Sequence, residues 1–150
     1  MSPLLLAIAV AAYVAVSALQ LALLGESAAT WVFFVVVDPL LLAAWVWFVL
    51  RLYGHQARFL QTASAVFGTG AVLGLGLYLP LELVIKGLGF EATSGVAQVF
   101  ALALVVVFAL VTGRIIKLAT DSNLFTGIAV SLTYFLLINY LVGLLRGPGT

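Results

Sequence analysis

The chain has 150 residues, and only 7% of them are charged: six Lys or Arg and five Asp or Glu. Because soluble domains carry about a quarter charged residues, a chain that is 65% hydrophobic has too few polar side chains to cover a soluble fold. With a net charge of +1 as well, this composition excludes a soluble enzyme, a disordered chain and a nucleic-acid-binding domain, and it predicts an integral membrane protein.

Five apolar segments are long enough to cross a bilayer, since about 20 apolar residues span the hydrocarbon core as a helix. They are residues 3–24, 31–52, 58–80, 95–117 and 122–145, with approximate ends. The first is longer than the apolar core of a signal peptide and has no basic residue before it, so we expect it to be a span. In lipid, a helix satisfies its own backbone hydrogen bonds. We therefore predict an all-α, polytopic transmembrane bundle that forms a single domain over 1–150 and has no soluble domain.

The second span contains an acidic side chain, Asp38, which is followed by Pro39. Proline lacks a helix donor, and aspartate is a good N-cap. This pair predicts that the second span kinks or restarts at Asp38. A capped kink has a structural role, whereas a discontinuous helix is also the form that binds ions or substrates in transporters.

The third span is rich in small residues. Gly70 and Gly74 form a GxxxG pair, which Ser64 and Gly68 extend. Small residues let helix backbones approach closely, so this span is expected to be a packing hub, either inside the monomer or at an oligomer face. Pro80 is expected to end or kink the span. After it, Leu81–Lys86 is predicted to be an interfacial extension in which Glu82 and Lys86 pair at i,i+4.

The fifth span is preceded by the polar residues Asp121, Ser122 and Asn123, which look like a helix N-cap. Two loops on one side of the membrane carry most of the positive charge: Arg51, Arg58, Arg114 and Lys117. The other side has Lys86 and Arg146, together with Glu26 and Glu91. This bias predicts a cytoplasmic N-terminus and a periplasmic C-terminus in a bacterial inner membrane. The four basic residues either only set this topology or also hold anionic lipid headgroups.

Each span contributes one strong hydrogen-bonding side chain at a similar level on the outer side: Gln20, Asp38, Glu82, Gln98 and Asn139. One interpretation is that these are interhelical or interfacial hydrogen bonds. The other is a polar cavity open to the outside with Asp38 at its base. An acidic group within a span is costly, so Asp38 is expected to be neutral, paired with Lys86 or exposed to a solvated cleft.

Catalytic and metal-binding patterns are missing from the sequence. There is no cysteine, and His55 is the single histidine. We therefore expect no disulfide, no metal site and no cofactor. No GxSxG, HExxH or paired intramembrane Asp occurs, and we expect no enzymatic activity.

The second loop and third span resemble those of bacterial Yip-domain (Ypt-interacting protein-like) membrane proteins. The similarity lies in Arg51-Leu52-Tyr53-Gly54, in Arg58-Phe59-Leu60-Gln61-Thr62, in Gly68 and in Pro80. It covers about residues 31–145 in topology and about 30 residues in motif. The acidic–aromatic–Gly–Pro signature of the eukaryotic branch does not occur here, so Rab binding is not implied. The resemblance implies a non-enzymatic membrane protein that acts through protein partners or membrane organisation.

Missing catalytic groups, minimal loops and a small-residue helix face favour an accessory or scaffold protein of the inner membrane. Its expected partners are the lipid bilayer and either a larger membrane protein assembly, to which it docks, or further copies of itself, but not nucleic acid. The alternative is a small transporter or channel component with an outward-facing polar cavity around Asp38.

Overall fold

A computed structural model describes residues 2–89 and 95–146, without the side chains of Leu145 and Arg146, and every regular element in this part of the chain is helical. Glu91 lies outside the described residues. The structure contains five long helices: α1 (Pro3–Leu24), α2 (Ala28–Leu52), α3 (Gln56–Gly87), α4 (Gly95–Thr120) and α5 (Leu124–Arg146). The predicted all-α fold with five membrane-spanning helices is confirmed.

All five helices are long and apolar enough to cross a membrane. The shortest, α1, has 22 residues, which corresponds to about 33 Å at 1.5 Å per residue. Large apolar side chains point away from the bundle, and among them Val72 is 70% and Phe125 is 81% exposed. Since lipid tails surround a transmembrane bundle, this outward apolar surface is the one that the bilayer covers.

Helices α2 and α3 each contain one π-helical turn, and in both the turn lies just before a proline. In α2 the turn is Phe33–Val37, and the N–H of Asp38 donates to the carbonyl of Phe33. In α3 it is Gly74–Tyr78. A proline ring would clash with the carbonyl four residues before it, and the wider turn moves that carbonyl aside.

Of the two outcomes predicted for the second span at Asp38, a kink or a restart, the restart does not occur. Both Val37 and Asp38 keep right-handed helical backbone angles, and the helix has no side-chain N-cap there. The irregularity that the sequence suggests is the π turn, and the chain passes through it without a new N-terminus. Helix α3 likewise continues past Pro80 to Gly87, as the predicted extension requires.

The predicted Glu82–Lys86 ion pair does not form between these two described residues. Instead, the Lys86 ammonium group donates to the carbonyl of Leu24 at 3.1 Å. Leu24 is the last residue of α1, and Gly25 follows it in the left-handed conformation. A cation near the last carbonyls of a helix stabilises the helix C-terminus. Lys86 therefore joins the C-terminal ends of α1 and α3.

The bundle is built on two close helix pairs, α1 with α3 and α4 with α5. Helix α3 also packs on α4 and α2, and α2 contacts α1 and α5 as well. Their shared core includes Leu42, Val46 and Leu50 of α2 and Val66 and Phe67 of α3. Helix α2 has the largest buried share of the five described helices, and its single carboxyl group lies inside the bundle, with Asp38 2% exposed.

The GxxxG pair of α3 packs inside the monomer, against α1. A Cβ added at Gly70 would lie 2.8 Å from Cε2 of Tyr13, and one added at Gly74 would lie 3.0 Å from Cγ1 of Val16. Both distances are too short for an ordinary contact, so α1 approaches α3 this closely only because glycine stands at both positions. Ser64 is buried and donates to the carbonyl of Leu60, but Gly68 has no neighbour within 4 Å of such a Cβ.

A second glycine contact, between α4 and α5, is absent from the predicted packing set. A Cβ added at Gly113 would lie 2.8 Å from the backbone nitrogen of Ile128. A Cβ added at Gly127 would overlap the carbonyl oxygen of Gly113. These glycines are isolated on different helices, so no small-residue spacing within either span indicates that they meet.

Replacing Gly127 by alanine is expected to separate α4 from α5 and to lower the unfolding free energy by about 1–3 kcal/mol, because the new methyl group meets backbone rather than a movable side chain. Gly143→Ala is the matched control, since a Cβ at Gly143 in the same helix meets nothing within 4 Å. The measurement is unfolding in detergent, followed by circular dichroism. Equal stability of the two variants would contradict the close backbone contact.

Candidate functional site

The most distinctive polar feature inside the bundle is the carboxyl group of Asp38, which lies between two tyrosine hydroxyls. The Tyr13 hydroxyl donates to Oδ2 of Asp38 at 2.6 Å, and the Tyr134 hydroxyl donates to Oδ1 at 2.6 Å. The Tyr134 oxygen is also 3.2 Å from the backbone carbonyl oxygen of Asp38. We call these three residues the Asp38 triad. It connects α1, α2 and α5.

Aromatic packing holds the two tyrosine rings in place. The Tyr13 ring meets Phe67 edge to face, with centroids 5.3 Å apart. The Tyr134 ring lies 5.3 Å from the ring of Trp45, which is two turns after Asp38 on α2. A buried tyrosine places an apolar ring in the core and needs a polar partner for its hydroxyl. The packing therefore aims both hydroxyls at one carboxyl group.

The Asp38 triad satisfies its own polar groups. The Asp38 residue is only 2% exposed, and each of its carboxyl oxygens accepts one hydroxyl. Its partners are therefore two tyrosines, and neither Lys86 nor a solvated cleft takes that place. Hydrogen bonds between membrane helices are worth about 0.6 kcal/mol on average and up to about 1.7 kcal/mol. The arrangement ties three helices together at one point.

The other four polar residues predicted at this level do not supply the hydrogen bonds of Asp38. The Gln20 amide donates to the carbonyl of Gly74 at 2.8 Å, at the start of the π turn in α3. The Asn139 amide donates to the carbonyl of Phe135 in its own helix. Glu82 is half-buried on α3, and Gln98 is exposed in the first turns of α4. Gln20 thus makes an interhelical hydrogen bond, which agrees with the first of the two interpretations of these five polar side chains.

Sequence reasoning missed Tyr13 and Tyr134 as partners of Asp38. A signal was present, since both lie in the middle of an apolar span. Tyrosines of membrane proteins concentrate at the interfaces, and one in mid-span needs a polar partner. The sequence alone gives no distance between residue 13, residue 38 and residue 134, so this pairing required the tertiary structure.

On the basic side of the membrane, Arg58 lies at the C-terminal end of α4. Its Nη1 donates to the carbonyls of Leu118 and Ala119 at 3.2 and 3.1 Å, and it lies 3.0 Å from Oδ2 of Asp121. Nε2 of His55 is 3.5 Å from the same carboxylate oxygen. Asp121 has a left-handed backbone (φ 53°). Arg58 thus caps the C-terminus of α4, so its role is not limited to setting the membrane topology.

The neighbouring charges affect the acidity of Asp121. The hydrogen bond from Arg58 is the main cause that lowers the pKa of this exposed carboxyl group below its usual range. Helix α5 begins just after Asp121 with a side-chain N-cap. The N–H of Thr126 donates to Oδ1 of Asn123 at 2.8 Å, so the predicted N-cap is confirmed at Asn123.

The remaining basic residues differ in their surroundings. The Arg51 guanidinium lies over the ring of Trp47, 5.1 Å from its centroid. Arg114 is exposed on α4 towards α3, and Lys117 is half-buried one turn further on. In the described part of the chain, no three His, Cys, Asp or Glu side chains lie close enough to hold a metal ion together.

Removing one tyrosine hydroxyl of the Asp38 triad is expected to leave a buried carboxyl oxygen without a donor. Tyr134→Phe should lower the unfolding free energy by about 1–3 kcal/mol. Tyr140→Phe on the same helix is the control, because Tyr140 is 65% exposed. In an Asp38→Ala background, Tyr134→Phe should have almost no further effect. Additive losses in this double-mutant cycle, measured by unfolding in detergent, would contradict the pairing.

The Arg58–Asp121 contact predicts a pH-dependent contribution to stability. Because the pKa of folded Asp121 lies below that of the unfolded chain, the contribution is complete at neutral pH and is lost as the pH falls below about 4. Asp121→Asn should therefore lower the melting temperature at pH 7, and this difference from wild type should become smaller as the pH falls below about 4. Glu82→Gln, at a carboxylate with no ion pair among the described residues, is the control. A difference between wild type and Asp121→Asn that stays constant with pH would rule this out.

No family model, curated protein or solved structure matches this chain. The resemblance to bacterial Yip-domain proteins therefore stays a prediction. What the chain does has to be inferred from its own geometry: a five-helix membrane bundle whose intramembrane carboxyl group is enclosed by two tyrosines.

Proposed function

We propose that this protein is a non-enzymatic accessory or scaffold protein of a bacterial inner membrane and that it docks through its helices to a larger membrane protein assembly. In this proposal the N-terminus is cytoplasmic and the C-terminus periplasmic, as the distribution of basic residues favours. The observation that carries the proposal is the small-residue face that α3 presents away from the bundle.

The outward face of α3 is defined by Ala65, Gly68, Val72 and Gly76, at helical spacings of three and four residues. Ala65, Val72 and Gly76 are exposed and Gly68 is half-exposed. A Cβ added at Gly68 or Gly76 would meet no atom within 4 Å. The two glycines leave shallow gaps on either side of Val72, and such gaps allow the backbone of a second transmembrane helix to approach closely.

The two faces of α3 differ in their occupancy. Gly70 and Gly74 face α1, which fills the space that their missing side chains leave. The outward face has the same small-residue character, but none of the described helices of this chain packs against Gly68 or Gly76. A second helix can approach the glycines closely and form more van der Waals contacts in these gaps than lipid tails do. This face therefore suits a transmembrane helix of a partner protein.

The enclosed Asp38 triad also supports a scaffold. A transporter built on Asp38 needs that carboxyl group to meet its substrate or a solvated pathway. Here two hydroxyls occupy its oxygens, and the residue is buried. A group used in this way stabilises one arrangement of α1, α2 and α5, which suits a protein that presents a fixed surface. The transporter alternative has less support from this geometry.

The docking face is tested by filling it. Gly68→Leu/Gly76→Leu should reduce the partner recovered in mild detergent by about tenfold or more, because two leucines block close helix approach. Gly143→Leu is the matched control, an outward glycine on α5 with no neighbour within 4 Å. A photo-crosslinking amino acid at position 65 should capture the same partner in intact membranes.

Three results would count against the proposal. One is recovery of the wild-type protein only as a free monomer, without a crosslink from position 65. Another is equal partner recovery by the filled variant and the Gly143→Leu control. A crosslink exclusively between two copies of this chain would replace the larger assembly with a homo-oligomer.

A further inference from the structure

A crevice opens between α3 and α4 on the side of the membrane that carries most of the positive charge. Its volume is about 400 Å³, and it is lined by Thr69 of α3 and by five residues of α4: Leu110, Val111, Arg114, Ile115 and Leu118. Four of the six are aliphatic. The Thr69 hydroxyl is already bonded to the carbonyl of Ala65 in its own helix. Arg114 is therefore the single charged residue among the described residues that line the crevice.

The depth of Arg114 suits a lipid headgroup. Helix α4 has 26 residues, or about 39 Å, which exceeds the hydrocarbon core of about 30 Å by roughly 4–5 Å at each end. Arg114 lies six residues before Thr120, so its Cα is only about 4–5 Å inside the hydrocarbon. An arginine at this depth extends its guanidinium to the headgroup level and leaves its stem in the apolar region.

Arg114 differs from the other arginines of this side in having no partner in the described part of the chain. Arg58 is bound to Asp121 and to two carbonyls of α4, and Arg51 lies on the ring of Trp47. Neither a hydrogen bond nor an ion pair within the described residues satisfies Arg114. A cation at headgroup depth with no protein partner is complementary to a phosphate group, and the apolar walls beneath it are complementary to an acyl chain.

From this arrangement we infer that the α3–α4 crevice binds an anionic phospholipid of the adjacent leaflet. Its phosphate group pairs with Arg114, and one acyl chain lies along Leu110, Val111 and Ile115 towards Thr69. Thr69 lies one turn from Ala65 on the same side of α3, so the crevice borders the outward glycine face, whereas its charged residue, Arg114, lies on α4.

The test uses the full-length protein in mild detergent, titrated with phosphatidylglycerol or with phosphatidylcholine of the same acyl chains and followed by native mass spectrometry. Wild-type protein should retain phosphatidylglycerol in preference. Arg114→Gln should weaken phosphatidylglycerol binding by about five- to tenfold and phosphatidylcholine binding by less, because the choline cation offsets the charge of the phosphate group. Arg114→Lys should keep most of the preference. Arg51→Gln is the control, since it removes one positive charge from the same side.

Two further measurements separate the parts of the site. Val111→Phe fills the crevice without a change in charge and should weaken the binding of both lipids. Glycerol phosphate, which has the anionic group without acyl chains, should not displace phosphatidylglycerol at equal concentration. Melting temperatures of all variants verify that each is folded.

The inference is overturned if Arg114→Gln binds phosphatidylglycerol as wild type does, or if Arg51→Gln loses as much binding as Arg114→Gln. Equal retention of the two lipids by the wild type would also overturn it. Displacement by glycerol phosphate would show that Arg114 binds a free phosphate ligand instead of a lipid. Full lipid binding by Val111→Phe would show that the acyl chain does not lie in the crevice.

Discussion

Two hydrogen bonds, from Tyr13 and Tyr134 to the carboxyl group of Asp38, hold α1, α2 and α5 together inside the bilayer. In lipid a buried carboxyl group without donors is costly, so the sequence can carry Asp38 in a span only if other helices bring donors to it. The rest of the bundle has to permit this meeting. Burying the Asp38 carboxyl group in lipid costs free energy, and the hydrogen bonds that offset this cost also fix the relative positions of three helices.

Glycine contacts bring the helices close enough for these hydrogen bonds. The Tyr13 ring lies against Gly70, at a distance that a side chain on residue 70 would not allow. Gln20, two turns further along α1, reaches the carbonyl of Gly74 at the start of the π turn in α3. Across the bundle, Gly113 and Gly127 bring α4 and α5 into backbone contact. Because lipid removes the hydrophobic drive between helices, close packing and these polar contacts supply the association.

Much of the architecture could be predicted from the sequence, and the site only in part. The five spans follow from runs of apolar residues, since lipid demands both length and helicity. Asp38 is recognisable as the unusual residue because a carboxyl group in a span is costly. Its partners were not predictable in the same way. Polar residues at one depth, such as Asn139, share a level in the membrane, but depth does not say which way a side chain points around its helix.

The sequence by itself determined that this protein is a membrane bundle of five helices, which side of it is basic, and which residue in a span is out of place. Those properties depend on composition and on position along the chain, which are local. The tertiary structure alone decided that Asp38 meets two tyrosines and that Gly70 and Gly74 face α1 while Gly68 and Gly76 face outward. It also decided that Arg114, unlike Arg58, has no hydrogen-bond or ion-pair partner among the described residues. These properties depend on how each helix is rotated about its axis, and that rotation is set by packing between helices.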